Sequence, residues 1–429
     1  MPYKKVLVGD YFKFEKGLGY KGEFLVEDSE VALIGMDSHE EGGGYKEASE
    51  KPYSGPYKSE HVAETGDVIF AATDLTQGGD VLGSPLIVPE SEKFETFIYS
   101  HHLLKAFQKK EGFLPEYLYN LYRVKKYRRK AAYGDAGSTV RALPSVVLEE
   151  QLVPLPDIKT QESINEVTSL IDQQIENNKS LAKNLEALAQ SIFRSWFVDF
   201  EPVHAKSRGE KPFGMDDETA ALFPDSFEES ELGLIPIKWN TGSLAEFAKQ
   251  TKKNVKAKEI TESDAYFGLE HIPRRSIFVF SWGSGEGLAS NKSSVAVGDL
   301  LFGKLRPYFH KVSISPVNGI CSTDIIVMQP KEAFYKSFMY FAVNQESFIS
   351  ILSNASTGTR MPRTSWNDMQ DYQFVIPSEN ILRKFENLTS PLIEEGLSCV
   401  TVNLSLRKLR EALLTEFVSN STLSIEALV

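Results

Sequence analysis

The chain has 429 residues and a formal net charge of −12, which argues against a general nucleic-acid-binding protein but allows local basic patches. Its two cysteines are too few for a disulfide framework and fit a reducing cytoplasm. The sequence shows neither the apolar core of a signal peptide nor a run of ~20 apolar residues, so we expect a cytoplasmic protein that makes no membrane contact, with two or three domains at ~150 residues each.

The first 156 residues have the pattern of a β-rich globular domain. Short apolar or alternating runs, such as "DVIFAATD" and "SPLIVP", are separated by Gly and Pro clusters, as in short strands joined by turns. One helical stretch, "PEYLYNLYRVKKYRRKAA", interrupts this pattern. The sequence therefore predicts a first domain over 1–156.

That helical stretch concentrates positive charge, with no Asp or Glu between Tyr117 and Gly134. In an acidic protein, such a run suits contact with DNA phosphates. The alternative is an ordinary solvated helix face. The candidate DNA-binding residues of this domain, including the arginine that ends "GSTVR", are Arg123, Lys125, Lys126, Arg128, Arg129, Lys130 and Arg141.

A long helix is predicted over 157–200. Leu181, Leu185, Leu188 and Ile192 alternate spacings of four and three, which is typical of a coiled-coil seam. At the C-terminal end, aromatic residues make the apolar stripe wider than a two-helix seam needs. The stripe either docks a partner protein or is covered by the domains of the chain itself. These aromatic residues are Phe193, Trp196 and Phe197.

A proline- and acid-rich linker over 201–242 precedes a second predicted β-rich domain over 243–377. Its basic residues lie in "FGKLRPYFHK" and "TGTRMPRTSW". These are turn-rich contexts, in which arginine can bind guanine with two hydrogen bonds. The candidate DNA-binding residues here are Lys304, Arg306, Arg360 and Arg363.

A second long helix is predicted over 378–419, followed by a tail over 420–429. It repeats the first, because Pro156 and Pro377 precede matching apolar patterns 221 residues apart. Upstream, "GDVIF" resembles "GDLLF". The repeat predicts an α+β fold with pseudo-twofold symmetry, in which two β-rich domains are separated by two long antiparallel coiled-coil helices. The matching seam residues are Val402, Leu406, Leu409, Leu413 and Phe417.

Catalytic and metal-binding signatures are missing from the sequence. "GDLLFGKL" has Leu305 where a phosphate-binding loop needs Ser or Thr. His101 and His102 are adjacent, so as strand neighbours they would point to opposite faces. We therefore predict no catalytic residue, no metal site and no cofactor in this chain. Two rival hypotheses are a stand-alone DNA-modifying enzyme and a coiled-coil adaptor that never contacts DNA.

Three segments resemble one known family. "LAQSIFRSWFVDFEPVHAK" at 188–206 closely resembles the central conserved region of type I restriction-modification specificity (S) subunits. "LFPDSFEESELGLIPIKW" at 222–239 resembles the segment that opens their second half, and the passage from "LVPLP" to "SINEV" resembles the entry into their spacer helix. The resemblance spans the chain in architecture. It departs from the pattern at Pro391 and Gly396 in the second helix.

The resemblance implies a non-catalytic subunit whose two target recognition domains bind double-stranded DNA at a bipartite, asymmetric site. It implies two methyltransferase (M) subunits, docked on the helices, that use S-adenosylmethionine to methylate adenine. Restriction (R) subunits with ATP and Mg would complete an endonuclease for antiviral defence. An orphan or fused split-site modification system is the alternative.

Overall fold

The structure, a computed structural model, describes residues 3–46, 49–74, 81–131, 141–355 and 362–419. Its helices are α1 (Pro115–Arg123), α2 (Lys125–Ala131), α3 (Ser145–Glu149), α4 (Ile158–Phe197), α5 (Glu201–Ser207), α6 (Asp217–Leu222), α7 (Leu244–Phe247), α8 (Lys336–Val343), α9 (Glu346–Ala355), α10 (Trp366–Met369) and α11 (Glu379–Ser419).

The strands before α4 are β1 (Lys4–Leu7), β2 (Phe12–Lys16), β3 (Val31–Ile34), β4 (Lys51–Pro52), β5 (Val62–Ala63), β6 (Val68–Ala71), β7 (Thr73–Asp74), β8 (Pro85–Ile87), β9 (Thr96–Tyr99), β10 (Leu103–Gln108), β11 (Arg141–Ala142) and β12 (Leu152–Leu155). Those after α4 are β13 (Phe227–Ser230), β14 (Gly233–Pro236), β15 (Asn240–Ser243), β16 (Ala248–Thr251), β17 (Asn254–Val255), β18 (Ala265–Phe267), β19 (Gly283–Ser284), β20 (Lys292–Val295), β21 (Leu300–Gly303), β22 (Val312–Ile314), β23 (Gly319–Cys321), β24 (Ile325–Pro330) and β25 (Gln373–Ile376).

The chain forms two compact units, and each contains part of both long helices. The first unit comprises the described residues up to 174 and those from 406 onward, and the second unit comprises residues 175–405. Helix α4 therefore begins in the first unit and ends in the second, while α11 begins in the second and ends in the first.

The two units repeat one sheet topology. The first unit has an antiparallel sheet in the order β2-β10-β6-β8, and the second has β16-β24-β21-β22. The first unit also has the order β4-β3-β9-β5, with β3 parallel to β9. The second unit has β17-β20-β23-β18-β19, with β18 parallel to β23. "GDVIF" leads into β6 and "GDLLF" into β21, so the structure confirms both the repeat and the α+β class.

The helical stretch predicted in the first domain is broken, and so is a second stretch, "YKSFMYFAVNQESFISILS" at 335–353 in the second domain. The first is interrupted at Val124, whose backbone is extended and whose side chain is buried. The second is interrupted between α8 and α9, at Asn344 and Gln345. The break at Val124 starts a separate helix, α2, on which Lys125 and Lys126 are exposed.

The long helices are antiparallel and make the same contact in each unit. In the first unit, Ile164 of α4 shares an apolar cluster with Leu414 and Phe417 of α11. In the second unit, the ring of Phe385 on α11 lies 5.9 Å, centroid to centroid, from the rings of both Phe193 and Trp196 on α4. Adding 221 to the number of an α4 residue gives the equivalent residue of α11, so Ile164 corresponds to Phe385, Phe193 to Leu414 and Trp196 to Phe417. The two units therefore make this contact with equivalent positions of the two helices.

The buried seam differs from the predicted one. On α4 it follows Ile175, Asn178, Ala182 and Ala189, which are all buried. The expected seam residues lie beside it: Leu181 and Leu188 are 43% and 51% exposed, Val402 and Leu409 are 43% and 49% exposed, and Leu185, Ile192, Leu406 and Leu413 are half-buried. Small alanines let the helices approach closely, so the larger leucines are displaced to the flank.

The broad aromatic stripe is packed inside the second unit. Phe193, Trp196 and Phe197 are 2%, 6% and 5% exposed. The Trp196 ring lies 5.1 Å from that of Phe223, and the Phe197 ring lies 6.0 Å from that of Trp239. These three side chains are therefore not available to a partner protein, and packing within the unit explains the width of the stripe.

Helix α11 continues through Pro391 and Gly396, the two positions at which the sequence departs from the pattern that it resembles. The Gly396 position has a structural reason. A Cβ placed there would lie 2.1 Å from Cζ of Phe278. Glycine is therefore required for the close approach of that ring to the helix.

Candidate nucleic-acid interface

Arg123 is placed differently from the expectation for a phosphate contact. Its side chain is 3% exposed. Its Nη1 donates to Oδ2 of Asp172 at 2.6 Å, and its Nη2 donates to Oδ1 at 2.9 Å. This bidentate pair satisfies the charge within the unit, so Arg123 is withdrawn from the candidate DNA contacts.

Asp172 joins α1 to both long helices in the first unit. Its carboxylate also accepts a hydrogen bond from Arg410 of α11. Burial acts to raise the pKa of Asp172, but the hydrogen bonds and positive charges of Arg123 and Arg410 outweigh it and hold the pKa below its usual value. The arrangement is a structural ion network at the C-terminal end of α1.

The remaining candidate basic residues differ in how exposed their side chains are. Lys125 and Lys126 are exposed, whereas Arg128 is half-buried. Nη1 of Arg128 donates to the carbonyl oxygens of Gly42 at 3.3 Å and Arg123 at 3.1 Å. The side chains of Arg129, Lys130 and Arg141, and all of Arg360, lie outside the described part of the structure. Among the candidate residues of this unit whose side chains are described, Lys125 and Lys126 are the two exposed cations.

Replacing Lys125 and Lys126 together by Ala is expected to weaken DNA binding by the assembled complex. Each lost phosphate contact removes about one unit from the slope of log affinity against log salt, so the slope should fall by about one to two. Titrations at several salt concentrations measure it. Lys21→Ala, an exposed lysine elsewhere in the unit, is the control, and an unchanged slope in the double variant would show a merely solvated helix face.

In the second unit, two sequence runs that are far apart in the chain meet at one surface. Leu305 pairs with Arg363 as a β-bridge. The backbone N–H of Arg306 donates to the carbonyl of Pro362 at 2.9 Å, and that of Thr364 donates to the carbonyl of Lys304 at 3.0 Å. The fold thus brings Lys304, Arg306 and Arg363 together, as a shared binding surface requires.

These three cations differ in their partners. Nη2 of Arg363 donates to Oδ1 of Asp324 at 2.6 Å. Nζ of Lys304 donates to the carbonyl of Thr323 at 2.5 Å. Burial and the charge of Arg363 lower the pKa of Lys304. Arg306 is exposed and, among the described residues, pairs with no carboxylate, so of these three cations it is the one best placed for a ligand.

A second loop at this surface was missed by the sequence analysis. The backbone N–H of Arg275 donates to the carbonyl of His310 at 2.9 Å, and the Arg275 guanidinium makes two hydrogen bonds to Glu346, at 2.8 and 2.9 Å. The ring of buried His310 lies between Asn344 Oδ1, at 2.5 Å, and Glu346 Oε2, at 3.2 Å. Two adjacent arginines in "PRRS" were the only signal in the sequence.

The same loop is tied to α4. Oε1 of Glu186 accepts from the backbone N–H of Ile277 at 2.8 Å, and Oε2 accepts from Oγ of Ser276 at 2.9 Å. Burial raises the pKa of the Glu186 carboxyl, and the two hydrogen bonds oppose that shift. The loop that contains Arg274 and Arg275 is therefore fixed to a long helix by a buried carboxyl group.

Within the described ranges, no group of three or more His, Cys, Asp or Glu residues is arranged to hold a metal ion. The expectation for the adjacent histidines is wrong: the rings of His101 and His102 lie 3.9 Å apart, centroid to centroid, in a turn rather than on opposite faces of a strand. Nδ1 of His102 lies 3.0 Å from Oγ1 of Thr73. Among the helices that the structure describes, none is long and apolar enough to cross a membrane.

Comparison with known proteins places these features in context. No family model matches the chain. It is 28% identical over 327 residues to the specificity subunit of type I restriction enzyme MjaIX of Methanocaldococcus jannaschii, an alignment that covers 72% of this chain and 69% of the relative. It is 23% identical over 324 residues to the specificity subunit of type I restriction enzyme HindI of Haemophilus influenzae, covering 62% and 68%. The crystal structure of a type I restriction-modification S subunit from M. genitalium has the same fold, with a TM-score of 0.52 at 13% identity, covering 98% of this chain and 97% of that one.

Proposed function

We infer that this chain, which belongs with the specificity subunits of type I restriction enzymes, is the DNA-recognition subunit of a type I restriction-modification complex. The observation that supports this most is the repeat of one sheet topology in two units. Each unit also presents exposed basic residues, Lys125 and Lys126 in the first and Arg306 in the second. We propose residues 1–156 and 243–377 as its two target recognition domains.

The target is proposed to be a bipartite and asymmetric double-stranded DNA site. Proteins built from two similar halves bind two half-sites at a fixed separation. Here the halves share a sheet topology but differ in their surface residues. For example, the counterpart of the basic helix α2 is α9, "ESFISILSNA", which contains no basic residue. Different surfaces select different base sequences, so the two half-sites should differ.

Methylation and cleavage are proposed to be performed by partner subunits. Two M subunits would supply S-adenosylmethionine and adenine methylation, and R subunits would supply ATP- and Mg-dependent cleavage, while this chain binds no cofactor. The exposed leucines of the long helices support docking of M: Leu181 and Leu188 recur as Val402 and Leu409, all of them exposed. Two equivalent apolar strips suit two copies of one partner. We place the complex in the cytoplasm.

The test is methylation mapping of host DNA with and without the gene. We expect adenine methylation at one asymmetric split site to disappear when the gene is deleted and to return when it is supplied. The purified chain with S-adenosylmethionine alone should methylate nothing. An unchanged methylation map would overturn the proposal, and methylation by the isolated chain would favour a stand-alone enzyme.

A further inference from the structure

Two arginines of the second unit lie over one aromatic ring. The guanidinium carbon of Arg274 is 4.0 Å from the centroid of the Phe309 ring, and that of Arg306 is 5.7 Å from it. Both arginines are exposed. Neither guanidinium pairs with a carboxylate in the part of the chain that the structure describes. Stacking on an aromatic ring fixes the plane of a guanidinium while its N–H groups stay free to donate.

The backbone around this ring is held in an uncommon conformation. Arg275, Arg306 and His310 have φ angles of 57°, 50° and 50°, in the left-handed region that residues other than glycine seldom adopt. Such residues persist only where their surroundings hold them, and they cluster at functional sites. Here the hydrogen bond from Arg275 to His310 and the contacts of His310 with Asn344 and Glu346 supply that support.

The support extends to the long helix α4. Glu186 binds Ser276 and Ile277, two and three residues after Arg274. Arg274 is thus fixed at one end by its ring contact with Phe309 and at the other by a backbone anchored to a helix. A rigid, pre-organised donor is what recognition of a base requires, whereas a phosphate can be bound by a mobile charge.

The neighbouring lysines suit the phosphate role. Lys252 is exposed, and burial, the charge of Arg363 and the charge of Lys252 together lower the pKa of Lys304. These residues have flexible ammonium groups, which bind phosphates as point charges. The surface therefore combines lysine ammonium groups with two guanidinium groups over one ring, of which that of Arg274 is the closer.

We propose that Arg274 is a specificity-determining residue of the second unit and that it binds the major-groove edge of a guanine through two parallel hydrogen bonds. The Phe309 ring, 4.0 Å from the guanidinium carbon, restricts this side chain, and Glu186 is a positioning residue for the loop. The inference rests on the proposed function. It adds the base type and the residue that selects it.

The experiment uses the full chain assembled with its M subunits, on duplexes that contain the site found by methylation mapping. Each base pair of the second half-site is changed singly, and binding is measured for Arg274→Ala and Arg274→Lys. We expect both variants to lose roughly 5- to 150-fold of discrimination at one G·C pair, with discrimination elsewhere unchanged. Arg274→Lys keeps the positive charge but removes the pair of parallel N–H donors, so it separates base recognition from phosphate contact.

Two further variants complete the test. Phe309→Leu, which keeps an apolar side chain and removes the ring, should weaken discrimination at the same base pair. Lys252→Ala should weaken binding equally on all duplexes and reduce the salt slope. Uniform weakening by Arg274→Ala that Arg274→Lys restores would make Arg274 a phosphate contact and overturn the inference, as would unchanged binding by both. A parent complex that does not discriminate any base pair of its site would instead overturn the proposed function.

Discussion

A fragment comprising residues 1–208 is expected to form a homodimer and, with M subunits supplied, to direct methylation to an interrupted palindrome. It retains the β-rich part of the first unit and all of α4 but loses α11, including the part of α11 that belongs to the first unit. In the intact chain, Leu414 and Phe417 of α11 complete the core of the first unit. Each large apolar side chain is worth ~1.5–3 kcal/mol when buried, so the fragment cannot leave this surface in water without a large loss of stability.

A second copy of α4 can replace α11 because the contacts repeat. The positions of Leu414 and Phe417 correspond to Phe193 and Trp196 of α4, which make the equivalent contact with Phe385 in the second unit. Both replacements are larger than the residues they replace, so the core must repack, at a cost of ~1–3 kcal/mol. That cost is smaller than the loss from an exposed seam. Two identical units then imply two identical half-sites.

Light scattering gives the mass of the fragment, and methylation mapping gives its site. The matched control is the same fragment with Phe193→Ser and Trp196→Ser, which should remain monomeric because its substitute seam is polar. A well-folded monomer of the parent fragment at micromolar concentration would contradict the expectation. So would a dimer that still methylates the asymmetric site of the intact chain.

Replacing Asp172 by Ala is expected to lower the free energy of unfolding of the first unit by ~3–5 kcal/mol. The substitution leaves one buried and one half-buried cation without their carboxylate: the side chains of Arg123 and Arg410 are 3% and 18% exposed. An uncompensated buried charge costs far more than a lost surface pair. The measurement is denaturant unfolding of the full chain, followed by a probe in the first unit.

The control for this variant is a surface pair in the same unit. Asp37→Ala removes the partner of Lys51, whose side chain is 42% exposed, and should cost no more than ~1 kcal/mol. Equal effects of the two substitutions would contradict the buried-network account. Asp172→Asn, which keeps the volume and removes the charge, should also destabilise the unit.

The pH dependence follows from the lowered pKa of Asp172. An acid whose pKa is depressed in the folded state stabilises the fold above its unfolded pKa, which is ~3.9 for Asp. That stability is lost as the pH falls through the folded value. The difference between the parent and Asp172→Ala should therefore stay constant between about pH 5 and 8 and shrink only in stronger acid.

The repeat made the fold predictable from the sequence. Apolar side chains recur at one offset in both helices, and "GDVIF" and "GDLLF" mark equivalent strands, so the architecture followed from periodicity alone. The seam did not, because the positions that bury it include Asn178, Ala182 and Ala189. An apolar search ranks leucine above alanine and excludes asparagine, yet close packing favours the small residue and a paired amide.

The candidate binding site was only partly predictable, for a different reason. A basic run shows charge but not the partner that satisfies it. Arg123 meets its carboxylate 49 residues away, at Asp172. Conversely, Arg274 owes its place to a ring at Phe309 and to Glu186 on another helix. Such tertiary contacts have no local signature in the sequence, so the charge runs could indicate Lys304, Arg306 and Arg363 as candidates but not Arg274.

A buried pair of asparagine side chains in the second unit fixes the register of the two long helices. Nδ2 of Asn178 donates to Oδ1 of Asn403 at 2.8 Å, and Nδ2 of Asn403 donates to the carbonyl of Ile175 at 2.9 Å. Sliding one helix by a heptad would bury both amides unpaired, and it would move that helix by ~10 Å at ~1.5 Å per residue. Along DNA, that distance is ~3 base pairs. Under the proposed function, the paired asparagines oppose slippage of the two helices, so a change in the separation of the half-sites would require the insertion or deletion of helix residues.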